Sequence, residues 1–144
     1  MADSALALII LTPLAGALLV MLAGRWPNLR EAVSIGTGLL LVAQIIAVAP
    51  SVLDGSALRQ VIATPVPQLP LAFEFEPLGL LFGLIASSLW VITTIYAIGY
   101  MRGHNESNQT RFFVFFAIAI SATMGVTLAA NLFTLFVFYE LLTL

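Results

Sequence analysis

The chain contains no cysteine and no lysine, and it has a single histidine, His104. Without cysteine it can form no disulfide, no thiolate nucleophile and no cysteine-ligated zinc or iron–sulfur site. One histidine cannot by itself complete a bis-histidine haem site or a metal cluster. We therefore expect no cofactor, no metal site and no redox chemistry carried by this chain.

Charged residues are also scarce, making up 8% of the 144 residues, with a formal net charge of -2. There is no basic run, so the sequence offers no basis for nucleic-acid binding or for electrostatic attachment to anionic lipid. Hydrophobic residues reach 61% and the mean hydropathy is +1.10, whereas soluble proteins are roughly 45–50% apolar. A soluble core of this size could not bury so many apolar side chains. The composition predicts an integral membrane protein.

Long apolar runs indicate where the chain crosses the bilayer. Crossing a hydrocarbon core of about 30 Å takes roughly 20 helical residues. The predicted fold is an all-α integral membrane protein, a single membrane domain over 1–144 with four transmembrane helices plus the start of a fifth. The predicted spans are 5–24, 32–52, 78–101 and 112–130, followed by an incomplete one at 132–144.

Two details refine these spans. The first run is preceded by no basic residue and is longer than the core of a signal peptide, so we interpret it as a retained span. Pro13 lies in its middle and predicts a mild kink, tolerated because neighbouring groups can satisfy the freed carbonyl.

The stretch from 112 to 144 would be about 50 Å long as one helix, so it must fold back. Asn131 is the most polar residue near the required break, and we place a tight turn there.

Arginines in the connections predict the orientation, because arginine near span ends is held on the cytoplasmic side. The connections 25–31 and 102–111 carry four arginines, whereas 53–77 carries only Arg59. This count places the N-terminus outside and predicts a multi-pass protein of the inner (plasma) membrane. The long outer connection contains Leu71, Phe73 and Phe75 at alternate positions, which favours a short extracytoplasmic hairpin between helices 2 and 3. A proline-rich loop without strand pairing is an equally open interpretation.

One acidic residue lies where charge is expensive. Glu140 is the ninth residue of the run that starts at Leu132, roughly 12 Å along a helix that rises about 1.5 Å per residue. A charge near the bilayer midplane costs about 2.5–3.5 kcal/mol on insertion scales, so Glu140 is the candidate functional residue. The other acidic residues are assigned to loops, span edges or the terminus: Asp3, Glu31, Asp54, Glu74, Glu76 and Glu106.

A buried carboxylate needs a cation to stabilise its ionised form, typically lysine or arginine on a facing helix. This chain has no lysine, and its arginines lie in loops or near span ends. The partner must therefore come from elsewhere, so we expect either a longer protein or a separate chain that supplies it. The alternative is that Glu140 merely snorkels near a frayed end, although glutamate is too short to reach an interface from the midplane.

Three segments carry a resemblance to a known family: Leu80–Met101, which ends in IGYM, the Arg111-Phe112-Phe113 start of the fourth span, and NLFTLFVFYELLTL at 131–144. They resemble the N-terminal part of the proton-translocating antiporter-like subunits shared by Mrp-type Na⁺/H⁺ antiporters and respiratory complex I. The sequence of these segments is most similar to that of the D-type Mrp subunit. Residues 1–60 match only in hydropathy and topology. The resemblance implies a subunit of about fourteen helices with an outer N-terminus. It also implies that Glu140 matches the fifth-helix glutamate, which pairs with a lysine on a later helix.

We therefore predict a subunit of a multisubunit monovalent cation/proton antiporter, in which Glu140 is the proton-relay carboxylate. Its expected partners are other membrane subunits of a hetero-oligomeric assembly, the lipid bilayer, and H⁺ with Na⁺ or K⁺ as transported ions. The prediction is a transporter rather than an enzyme, and it would count as a translocase only in a complex I-type assembly. Three alternatives are a proton-pumping subunit of such an NADH–quinone oxidoreductase, a small non-conducting scaffold subunit, and a quinone-binding oxidoreductase, which no residue supports.

Overall fold

The computed structural model describes residues 5–55 and 58–143. Residues 1–4, with Asp3, and Leu144 at the end of the fifth predicted run lie outside the described residues. In chain order the elements are α1 (Ala5–Leu22), a short 3₁₀ turn (Ala23–Arg25), α2 (Pro27–Leu53), β1 (Leu58–Val66), β2 (Leu69–Phe75), α3 (Pro77–Gly103), α4 (Gln109–Thr127) and α5 (Leu132–Thr143).

Four helical segments are long and apolar enough to cross a membrane, as the sequence predicts. They are Ala5–Arg25, Pro27–Leu53, Pro77–Gly103 and Gln109–Thr127, whereas the apolar helix Leu132–Thr143 is shorter. Many large apolar side chains on their outer faces are exposed, among them Leu18, Leu40, Ile92 and Phe115. Such a surface is stable only against lipid or other subunits, so the chain is a multi-pass membrane protein.

The helices α2 and α3 both extend beyond the apolar runs that predict them. Pro27 and Pro77 lie at their starts, where proline has the right φ and its missing N–H leaves no bond unmade. Helix α2 therefore includes Arg30 and Glu31, which were predicted to lie in the connection and at its edge. The connection between α1 and α2 is shorter than predicted, and two charged residues are part of a helix.

The connection between α2 and α3 contains a two-stranded antiparallel sheet. Strand β1 pairs with β2 from Leu58–Phe75 to Val66–Leu69, so the hairpin forms and the alternative of an unpaired loop is wrong. At its tip, Pro67 is followed by Gln68 with φ 69°, the pattern of a type II turn. Phe73 and Phe75 on β2 are buried, and so is Ala72, because β2 is covered on both faces.

The helices pack around an apolar core that includes Leu6, Ile9, Leu41, Ile45 and Met124, together with Phe73 of the hairpin. Helix α1 packs against α2 and α4, and α2 packs against α3. Because α2 and α3 run in opposite directions, the start of α2 lies beside the end of α3. We call this the arginine end of the bundle, and the opposite end, which carries β1 and β2, the hairpin end.

A side chain of α4 lies against the kink-prone part of α1. Pro13 lacks the N–H that would bond the carbonyl of Ile9, and Ser121 of α4 donates a hydrogen bond of 2.7 Å to the adjacent carbonyl of Ile10. Ser121 is fully buried. This hydroxyl serves the carbonyl next to the one that Pro13 frees, so satisfaction of the Ile9 carbonyl itself stays a prediction.

Candidate functional site

Glu140, the residue that the sequence singles out, lies two turns into α5, and its side chain is exposed. In α5 only Thr134 is buried, whereas Phe136, Tyr139 and Leu142 beside Glu140 are exposed. The carboxylate therefore projects from an open apolar helix face rather than into the packed bundle of this chain. Its predicted burial in the membrane rests on lipid or protein beyond these residues.

No residue within 5–55 and 58–143 forms an ion pair with Glu140. Its backbone carbonyl accepts a hydrogen bond of 2.9 Å from the hydroxyl of Thr143, which is a contact within the helix. The arginines of α2 and α3 are engaged at the arginine end, and Glu140 lies on a helix that begins at the hairpin end. The structure thus brings no cation of the described chain to the candidate relay carboxylate.

A charged cluster that was not predicted from the sequence lies at the arginine end. Glu31 is 6% exposed, and its two oxygens accept hydrogen bonds of 2.9 and 2.6 Å from Nε and one terminal nitrogen of Arg102. Arg30, 4% exposed, donates to the same carboxylate at 3.4 Å. One buried carboxylate thus joins α2 to α3 through a two-point arginine contact, the strong form of such a pair.

Arg30 extends this cluster to α4. Its terminal nitrogens donate hydrogen bonds of 3.0 Å to the hydroxyl of Thr110 and 2.9 Å to Oε1 of Gln109, and its guanidinium lies 5.4 Å from the centre of the Phe113 ring. Its Nε is buried without a hydrogen-bond partner among the described residues. Three helices are therefore held together by polar contacts at the end where their backbones enter the connections.

The cluster could have been found from the sequence with one further step. Arg30 and Glu31 follow Pro27 at the start of one span, and Arg102 ends the next span. Consecutive membrane spans cross the bilayer in opposite directions, so these positions must lie at the same end of the bundle. When the arginines are counted only as topology signals, the buried acidic partner that Arg30 and Arg102 share is missed.

The other polar residues in the spans behave as packing groups. The hydroxyls of Thr123 and Thr127 donate to carbonyls of their own helix, at 2.8 and 2.7 Å, and Thr12 of α1 donates to Gln44 of α2 at 3.0 Å. Such contacts satisfy polar groups and bring helices together. They agree with the packing interpretation that the sequence favours over a hydrated path.

Comparison with known proteins confirms the resemblance to antiporter-like subunits. The chain is 35% identical over 81 residues to the A-type subunit of the Na⁺/H⁺ antiporter of Alkalihalophilus pseudofirmus, covering 55% of this chain and 10% of that protein. It is 34% identical over 73 residues to the chloroplastic NAD(P)H-quinone oxidoreductase subunit 5 of Chara vulgaris, covering 51% of this chain and 11% of that protein. No family model matches the chain.

A solved structure shows the same fold. A chain of the membrane-bound sulfane sulfur reductase, an archaeal respiratory membrane complex, superimposes on 96% of this chain with a TM-score of 0.81 at 21% identity. The match covers 21% of that chain, and this chain spans about a tenth of the length of the two relatives above. The relatives include an A-type antiporter protein, and the closer similarity to the D-type subunit remains a prediction.

Proposed function

We propose that this chain works in a multisubunit monovalent cation/proton antiporter, in which Glu140 is the proton-relay carboxylate. The similarity to an Na⁺/H⁺ antiporter subunit supports the class of activity. The observation that carries the assignment to Glu140 is its place on an apolar helix, exposed and without an ion-pair partner among the described residues. We further propose that residues 1–144 form one membrane domain, the N-terminal portion of a larger bundle.

The relay follows from the behaviour of a carboxylate in an apolar setting. Such a group holds its proton until a cation approaches and stabilises the ionised form, and it takes a proton again when the cation withdraws. A lysine or arginine on a facing helix beyond these residues would supply that cation. Because protonation at one site changes the proton affinity of the next, the pair can pass protons in steps.

The orientation is part of the proposal. Four arginines, at positions 25, 30, 102 and 111, lie at the arginine end, and Arg59 lies on the hairpin. The rule that arginine stays inside then favours the arginine end on the cytoplasmic side of the inner (plasma) membrane, with the N-terminus and the hairpin outside. On this arrangement Glu140 lies about 12 Å from the outer start of α5.

Substitution of Glu140 tests the proposal in the assembled complex. In everted vesicles, Glu140→Gln should abolish proton movement driven by added Na⁺ or K⁺, because the amide cannot bind and release a proton. Glu106→Gln, which neutralises an exposed glutamate in the α3–α4 connection, should leave the activity unchanged. Normal assembly with wild-type antiport in Glu140→Gln would refute the relay and favour a non-conducting scaffold.

A second candidate function is supported by the similarity to a subunit 5 of a quinone oxidoreductase. In that case the chain would contribute to proton pumping driven by electron transfer. The same vesicles distinguish the two, since an antiporter responds to a cation gradient alone, whereas a pump of this class requires an electron donor and a quinone. Loss of donor-driven pumping in Glu140→Gln, with no response to cations in the wild type, would favour this second function.

A further inference from the structure

The hairpin pairs with the α4–α5 connection as well as with itself. The amide of Glu74 donates to the carbonyl of Leu128 at 2.8 Å, and the amide of Ala130 donates to the carbonyl of Ala72 at 2.9 Å. Strand β2 therefore has β1 on one edge and the backbone of 128–130 on the other. The backbone that leads into α5 is fixed to the hairpin before the helix begins.

The first turn of α5 is then fixed by two side chains. Asn131 caps the helix, since its Oδ1 accepts a hydrogen bond of 2.8 Å from the amide of Thr134, and its amide nitrogen donates to the carbonyl of Pro70 at 2.8 Å. The hydroxyl of Thr134, fully buried, accepts a hydrogen bond of 3.0 Å from the amide of Ala72. Both residues thus join the helix start directly to the backbone of β2.

One turn further, Phe138 makes the next contact between α5 and the hairpin. Its ring lies edge-on to Phe73 of β2, with 5.5 Å between the ring centres. On the α4 side it occupies the space left open by Gly125, where a Cβ atom would overlap the Phe138 ring. Thr134 and Phe138 are four residues apart and so share one face of the helix. The contacts of Thr134 and Phe138, one turn apart on the same face, fix the rotation of α5 about its axis and its position along that axis.

This face is opposite the candidate relay. At about 100° per residue, Glu140 lies about 200° around the helix from Phe138 and about 240° from Thr134. A rotation of α5 about its axis would therefore swing the carboxylate sideways relative to whatever faces it. We propose that Thr134 is a positioning residue, whose hydroxyl, held by the hairpin amide of Ala72, sets the direction in which Glu140 points. This inference rests on the proposed relay function of Glu140.

The first test measures position without transport. The chain has no native cysteine, so Glu140→Cys gives a single labelling site in this chain within the assembled complex. Adding Thr134→Val, which keeps the shape and removes the hydroxyl, should change the maleimide labelling rate about fivefold, the factor equivalent to about 1 kcal/mol for one hydrogen bond. Thr134→Ser should restore the rate. The control Thr127→Val should not alter it, because the Thr127 hydroxyl donates to the Thr123 carbonyl of its own helix.

The second test measures the relay with Glu140 in place. Thr134→Val should displace the pH profile of cation-driven proton movement, because a turned carboxylate meets its facing group at a different distance, and Thr134→Ser should leave the profile unchanged. Asn131→Asp, which keeps the helix cap but loses the donor to Pro70, should act in the same direction and serves if Thr134→Val fails to assemble.

The outcomes separate the two proposals. Unchanged labelling in both Thr134→Val and Asn131→Asp would overturn the positioning role, whatever happens to transport. A second outcome is altered labelling in the Thr134→Val background, with wild-type transport both in Thr134→Val and in Glu140→Gln. It would uphold the positioning of α5 and refute the relay. Altered labelling with a displaced pH profile supports both.

Discussion

Neutralising Glu31 should destabilise the helix bundle strongly, although the residue lies at the edge of a predicted span. The side chains of Arg30 and Glu31 are only 5% and 8% exposed. Removing one partner of a buried pair leaves the other charge uncompensated and costs about 3–5 kcal/mol. Arg30 keeps its hydrogen bonds to Thr110 and Gln109, so we expect Glu31→Gln to cost about 3 kcal/mol, the lower part of that range.

The measurement is reversible unfolding of the purified chain in mixed micelles by titration with sodium dodecyl sulfate. Trp90 is 3% exposed and Trp26 is 61% exposed, so a Trp26→Phe background leaves one buried fluorescent reporter. Glu106→Gln is the matched control, since it removes the same charge from an exposed site and should shift the free energy of unfolding by no more than about 0.5 kcal/mol.

A double variant tests whether the loss of stability in Glu31→Gln comes from the uncompensated charge of Arg30. In Arg30→Met with Glu31→Gln the stranded cation is removed together with its partner, and replacing a buried ion pair by uncharged groups is often nearly neutral. The double variant should therefore be more stable than Glu31→Gln alone. If Glu31→Gln unfolds like the Glu106→Gln control, or if the double variant is the less stable of the two, the burial argument is refuted.

Two further substitutions test the packing at the hairpin end. Gly125→Ala should lower the free energy of unfolding by about 1–3 kcal/mol through overpacking, because the added methyl group overlaps the Phe138 ring. The control Gly99→Ala meets nothing within 4 Å among the described residues and should be neutral or slightly stabilising. Equal free energies of unfolding for the two variants in the same titration would contradict this. Gln68→Gly should stabilise the hairpin by about 0.5 kcal/mol. Glycine removes the strain of the positive φ of 69°, and this gain exceeds the extra backbone entropy that glycine loses on folding. The expected result is slower amide hydrogen exchange in β1 and β2, and faster exchange would refute it.

The membrane helices were predictable because length and hydropathy alone decide which segments can cross a bilayer. The hairpin was predictable only as one of two alternatives, since the alternation at Leu71, Phe73 and Phe75 fits a strand, whereas the neighbouring prolines also fit a loop. Backbone pairing decides the matter: β2 pairs with β1 on one edge, and the α4–α5 connection bonds to its other edge.

The Arg30–Glu31–Arg102 cluster and the role of Thr134 were harder to predict for a common reason. Both depend on which parts of the chain meet, whereas reasoning from depth in the bilayer treats each residue alone. Glu31 gives no signal on that basis, because a charge at a span edge can reach water cheaply. Thr134 gives none either, because threonine in a membrane helix usually bonds its own backbone. Here its hydroxyl instead accepts from Ala72, 62 residues away in sequence.

The two carboxylates of the helical segments, Glu31 and Glu140, have opposite surroundings, and the contrast bears on function. Glu31 has two arginine partners and is covered by protein, so its carboxylate is held in place between α2 and α3. Glu140 has no ion-pair partner in the described chain and projects from an open face of α5, yet the opposite face of that helix is fixed by Asn131, Thr134 and Phe138. A helix fixed on one face that presents an unpaired carboxylate on the other fits the proposed relay, since proton transfer needs its partner groups at a set distance and direction.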